Sequence, residues 1–120
     1  MSYFQNIVII RGCPSEVAQV WPMFMNPECQ DLIMVLQPCK MRREVRCQFN
    51  TDDDPPTDLL MSMTKKLPLL NVEHLYLDEG EGIWGRSFFC NGDERPDLKL
   101  GMDMDVFAKT FGFKLAHLHS

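Results

Sequence analysis

Two stretches of alternation limit what this chain can become. From Arg42 to Asn50, the residues Arg43, Val45, Cys47 and Phe49 share one side of an extended backbone and Arg42, Glu44, Arg46 and Gln48 the other. From Leu70 to Asp78, Val72, His74 and Tyr76 oppose Glu73, Leu75 and Leu77. Side chains of a strand point alternately to its two faces, so a period of two predicts strands whose faces differ in burial. On that count His74 lies on the core side of its strand. Tyr3 to Arg11 holds the β-branched run Val8, Ile9 and Ile10 and stops at Gly12, which predicts a buried or nearly buried strand. Ile83 to Cys90 resumes a β-rich pattern after Glu79-Gly80-Glu81-Gly82, and it is expected to form a hairpin with 70–78. Asp31 to Gln37, ended by Pro38, suits a short strand or a buried helical turn, and we read it as a strand.

The helical signals lie between these strands. After Pro14, Ser15 and Glu16, the residues Val17, Val20, Trp21, Phe24 and Met25 recur at three- and four-residue steps, predicting one helical face, with Pro22 expected to kink or end it. Asp52-Asp53-Asp54-Pro55-Pro56-Thr57-Asp58 announces a helix from about Thr57 to Leu67, with an aspartate as N-cap and a proline in the first turn. Leu59, Leu60, Met63 and Leu67 are its expected buried face, and Lys65 and Lys66 complement its negative end. Past Asn91-Gly92-Asp93 a polar link leads to an amphipathic segment, Val106, Phe107, Phe111 and Phe113, expected to pack as a helix or fold back as an arm.

The chain has 120 residues, 45% apolar and 24% charged, enough for one core and far from the compositions of disorder or coiled coil. The element order predicts an α+β fold: a ferredoxin-like split βαβ sandwich, an antiparallel sheet with two helices on one face plus a C-terminal extension. We expect the ferredoxin-like domain over 1–92 and the extension, 93–120, packed on the same domain.

Several short motifs in this order look familiar. Asn6-Ile7-Val8-Ile9-Ile10-Arg11-Gly12 leading into Pro14-Ser15-Glu16-Val17, then Phe49-Asn50-Thr51 with Asp54-Pro55-Pro56, Lys65-Lys66-Leu67-Pro68, Leu75-Tyr76-Leu77-Asp78-Glu79-Gly80 and Gly82-Ile83-Trp84-Gly85-Arg86 resemble the Api-type family of phage ferredoxin-like domains. The resemblance covers residues 3–26 and 47–92. The family's Trp-Cys pair before the first strand is replaced by Tyr3-Phe4-Gln5, and its middle section with a tryptophan-glycine motif is missing. The resemblance implies a phage or other mobile-element origin and no enzymatic activity.

Chemistry-bearing groups are sparse. The net charge of −5 argues against general nucleic-acid binding, which rests on neutralising phosphates. Five cysteines, at 13, 29, 39, 47 and 90, form no CxxC pair and suggest free thiols in place of a disulfide framework or zinc ribbon. His74, His117 and His119 lack a zinc-ligand partner spacing, so neither metal nor cofactor is expected. The glutamates around Gly80 and Gly82 would repel phosphate, which speaks against a nucleotide cradle. Met61, Met63, Met102 and Met104 alternate with polar residues and are read as core filling.

No apolar run approaches the roughly 18 residues of a membrane span, and the start Met1-Ser2-Tyr3-Phe4 lacks a secretory pattern. Cytoplasmic residence is therefore expected, and the phage resemblance implies that the cytoplasm is that of an infected bacterial host.

Acidic groups cluster at Asp52, Asp53, Asp54 and Asp58 and again at Asp78, Glu79 and Glu81. Together with Trp84 and Arg86 they form the candidate partner-binding set, an acidic surface for a basic groove. Lys40, Arg42, Arg43 and Arg46 make the one concentrated basic stretch, read as charge on a sheet surface. With the phage origin that the resemblance implies, and by analogy with small phage proteins that act on host machinery, the expected function is that of a small, non-enzymatic, anti-CRISPR-like inhibitor. It would bind a host protein or ribonucleoprotein complex without direct nucleic-acid contact. The competing expectation is a homo-oligomeric structural or accessory phage protein, a homodimer joined through a sheet edge or through Phe107, Phe111 and Phe113.

Overall fold

A computed structural model describes residues 3–25, 27–38, 43–52 and 54–116. Its strands are β1 (Tyr3–Gly12), β2 (Gln30–Pro38), β3 (Arg43–Asp52), β4 (Asn71–Asp78), β5 (Ile83–Cys90) and β6 (Asp93–Pro96). They form one antiparallel sheet in the order β2-β3-β1-β4-β5-β6. Between β1 and β2 lie two single-turn helices, α1 (Pro14–Val17) and α2 (Trp21–Phe24), while α3 (Thr57–Lys66) joins β3 to β4 and α4 (Met104–Phe111) follows β6. Among the described residues no helix is long and apolar enough to cross a membrane.

The period of two in the sequence becomes two cores, one on each face of the sheet. Val8 and Ile10 of β1, Val45, Cys47 and Phe49 of β3, Val72 of β4 and Phe89 of β5 point to the first face. There they meet Val17, Val20 and Phe24 from the α1–α2 region and Leu60, Met63 and Leu67 of α3. On the second face Ile7, Leu75 and Leu77 meet Phe107 and Ala108 of α4, with Phe113 and Leu115 beyond it. β1 is thus covered on both faces, which is why its sequence reads as a continuous apolar run. Burying these side chains is the main stabilisation, at roughly 1.5–3 kcal/mol for each large aliphatic or aromatic group removed from water.

Several sequence expectations give way here. The helix expected after Pro14 is split into α1 and α2 because Pro22 lies in the first turn of the second piece. Val17, Val20 and Phe24 are buried, but Trp21 and Met25 are exposed, since the break rotates them off the shared face. No aspartate caps α3: its N-cap is Pro56, and no side chain accepts a hydrogen bond there. Leu60, Met63 and Leu67 are buried as expected, whereas Leu59 only packs against the core's margin. The polar link after residue 92 is instead β6, paired with β5 from Ser87↔Pro96 to Cys90↔Asp93. Helices also lie on both faces, because α4 covers the side opposite α3. Val106 in α4 is exposed while Phe107 takes the core position. Cys39, Lys40, Arg42, Asp53, His117 and His119 lie outside the described residues.

Candidate interaction surface

The two acidic clusters meet at one end of the sheet, and the topology dictates this. β1 pairs with β3 so that Tyr3 lies opposite Asp52, and with β4 so that Gln5 lies opposite Leu77. Continuing the second register past Leu77 sets Asp78 and Glu79 beside Phe4 and Tyr3. Strands stand about 4.8 Å apart, so the ends of β3 and β4 flank β1 at a backbone separation of about 10 Å. The first turn of α3, carrying Asp58, starts from the same end.

The acids there divide into two kinds. Asp78 is buried, and its Oδ1 accepts from the backbone N–H of Glu81 at 3.1 Å, fixing the loop of the β4–β5 hairpin. Glu79 Oε1 accepts from the Ala116 N–H at 2.9 Å and so pins the C-terminal segment. These two shape the surface. Asp52, Asp54, Asp58 and Glu81 are exposed, and Asp52 also accepts from Gln30 Nε2 at 3.0 Å.

A buried chain of hydrogen bonds holds the acidic loop from below. His74 Nε2 lies 2.9 Å from Asn6 Oδ1, Asn6 Nδ2 donates to Thr51 Oγ1 at 3.0 Å, and the Thr51 hydroxyl donates to the Asp54 carbonyl at 2.7 Å. Because Asn6 Oδ1 is an acceptor, His74 carries its proton on Nε2 and is neutral. Burial pushes its pKa down to about 3, since the charged ring would be desolvated. Its Nδ1 and the hydroxyl of Ser87, the residue opposite it on β5, have no hydrogen-bond partner. Such orphans raise the cost of the buried polar seam. The seam also fixes where β3 ends and the loop begins, so the surface acids stand on a rigid base.

Trp84 and Arg86 turn into the molecule instead. Trp84 packs into the second core, and its Nε1 donates to the Met102 carbonyl at 2.9 Å. Arg86 is held by Asp97 at 2.6 Å and by Glu73 at 3.5 Å. Its guanidinium lies 5.5 Å from the Phe88 ring centroid and 5.8 Å from that of Phe111. The hydrogen bond from Arg86 holds the Asp97 carboxyl below its usual pKa. Both side chains are therefore engaged within the molecule. Arg46, from the basic stretch, donates to the Phe111 carbonyl at 3.1 Å.

Sequence reasoning missed Tyr3 and Ile83, half-exposed apolar groups at the same end as the surface acids. Tyr3 was legible as an aromatic on the strand edge of an acidic loop only once the register to Asp52 was known. Both add contact area to a surface that is otherwise charge. Of the cysteines, Cys29 and Cys47 are buried in the first core and form no disulfide. Burial, with the neighbouring Cys29, pushes Cys47 up to about 12, so it stays a thiol. Among the described residues no group of three or more metal-ligating side chains comes together. No protein-family model, curated protein or solved structure matches the chain.

Proposed function

We propose that this is a small acidic binding module of phage or mobile-element origin that docks the acidic end of its sheet on a basic, nucleic-acid-binding groove of a host defence complex. The carrying observation is that Asp52, Asp54, Asp58 and Glu81 stand exposed at one sheet end, with Asp52 opposite Tyr3. A rigid negative surface steers association with a positive groove and competes with phosphates for it. The rigid base contributes by lowering the ordering cost of binding. The fold we assign is ferredoxin-like: β2-β3-β1-β4 with helical crossovers after β1 and β3 follows the split βαβ plan, and β5, β6 and α4 are additions to it. The module acts in the bacterial cytoplasm and needs no catalysis of its own.

The test compares the natural chain with a variant carrying Asp52→Lys, Asp54→Lys, Asp58→Lys and Glu81→Lys. Each is used to capture partners from a bacterial lysate with active defence nucleases, at low and at high salt. A nuclease or ribonucleoprotein subunit retained by the natural chain, weakened by salt and lost with the variant supports the proposal. Capture of the same subunit by both proteins with equal strength would sink it.

A further inference from the structure

The two edges of the sheet are built differently. β6 spans only Asp93–Pro96 and carries charge at Asp93, Glu94 and Arg95, the usual protection of an edge against pairing. β2 runs over nine residues, and from Leu32 to Pro38 it holds no charged residue. Ile33 and Val35 are 59% and 48% exposed. They belong to the face that α4 covers over β1 and β4 but not over β2. Among the described residues no strand pairs with the outer side of β2.

We propose that β2 is a self-association edge, across which two copies of the chain join antiparallel into one continuous sheet. A twofold axis at Met34 gives a self-complementary register: Ile33 of each copy lies beside Val35 of the other, and Met34 meets its own counterpart. This closes four exposed β-branched side chains into one apolar patch and pairs backbone groups that otherwise face water. The ladder to β3 slips between Gln30 and Ile33, where Asp31 has φ 55°. The single charge of β2 therefore sits on the irregular side, outside the flat segment. Charge also selects the occupant. The antiparallel register sets the Asp31 end of each β2 beside the Pro38 end of the other, next to which β3 begins at Arg43, so an acidic end of one copy adjoins a basic end of its mate. Only the first residues of this edge reach the acidic sheet end, where Gln30 donates to Asp52; the flat segment from Leu32 runs away from it.

Sedimentation equilibrium of the full chain across a concentration series tests this, with hydrogen exchange of the unsubstituted protein beside it. A dimer is expected, with β2 amides exchanging more slowly as concentration rises. Ile33→Lys and Val35→Lys should each weaken the dimer at least about tenfold, with an unchanged circular dichroism spectrum. Phe88→Lys, at an exposed site near the other edge, should leave it intact. Monomer at every concentration, concentration-independent β2 exchange, or a dimer that survives both lysine substitutions overturns the proposal.

Discussion

The two faces of this sheet are held by different means. Beneath α1, α2 and α3 the core is aliphatic and aromatic but has a polar seam through it, His74 to Asn6 to Thr51 to the Asp54 carbonyl. Beneath α4 the core is a stack of rings, Phe107 lying 5.0 Å from Phe111 and 5.4 Å from Phe113 between centroids. The first face draws on helices inserted between strands, so losing it would unravel the sheet's connections. The second is covered by one eight-residue helix and the segment after it, tied down by Gln5, whose side chain exchanges two hydrogen bonds with the Lys114 backbone. A side-chain hydrogen-bond network runs through the first face, whereas the second is ring packing held at its margin by hydrogen bonds from Gln5, Arg46 and Trp84 to the backbone.

That contrast is broken most directly at Phe107, which is fully buried. Phe107→Ala should cost about 3–5 kcal/mol, the usual range for emptying a packed aromatic site. The loss should fall unevenly. In hydrogen exchange, amides of α4 are expected to lose protection while those of β1 and β3 keep theirs. Equal loss of protection across β1, β3 and α4 would make the two faces one cooperative unit.

The next effect comes from acid and belongs to the first face alone. His74 has a folded pKa of about 3 against 6.5 in the unfolded chain, so the unfolded state takes up a proton first as pH falls. Stability is fully present above pH 6.5, declines below it and stops declining near 3, where the folded ring also protonates. At about pH 5 the expected loss is about 2 kcal/mol relative to neutral pH. Denaturant titrations of the natural chain and of His74→Gln at both pH values check this. The variant should lose the part of the slope that lies between pH 5 and 7. An identical slope in both proteins would place the acid sensitivity elsewhere.

How much of this was legible follows from which signals are local. β3 alternates because Val45, Cys47 and Phe49 fill one core, and the structure keeps that face; β4 alternates too but is buried on both sides, Val72 and His74 on the first face and Leu75 and Leu77 on the second, because α4 covers the face that the sequence left open. β6 was not legible as a strand, since Asp93, Glu94, Arg95 and Pro96 are poor strand formers; pairing with β5 holds it there. Its sequence signal was the turn: Asn91 and Gly92 have φ values of 52° and 82°, the left-handed pair that closes a tight hairpin. Aspartates mislead in a similar way. Asp52 and Asp54 stand before a helix and do not cap it, while Asp103 caps α4 by accepting from Val106 N at 2.8 Å. Convergence of the surface acids needed the strand order, which no local pattern carries. Tyr76 shows the same limit. Its ring lies over the backbone of Gly85 so closely that a Cβ there would collide with it, and only the β4–β5 register reveals why that glycine is needed.

The smallest effect separates the seam's two jobs, stabilising the core and shaping the acidic loop. Thr51→Val keeps the side chain's volume and removes the hydroxyl that accepts from Asn6 and donates to the Asp54 carbonyl. Asn6 Nδ2 retains the Phe49 carbonyl at 3.4 Å and the Phe4 carbonyl at 3.3 Å, so the core loses little. A global cost of about 1 kcal/mol is expected. The loop should respond more than the core does: the Asp54 amide should exchange faster, and salt-sensitive capture of the partner should weaken although every surface carboxylate remains. If the stability falls and binding does not, the seam serves the fold alone. The acidic end would then act through charge without needing a rigid base.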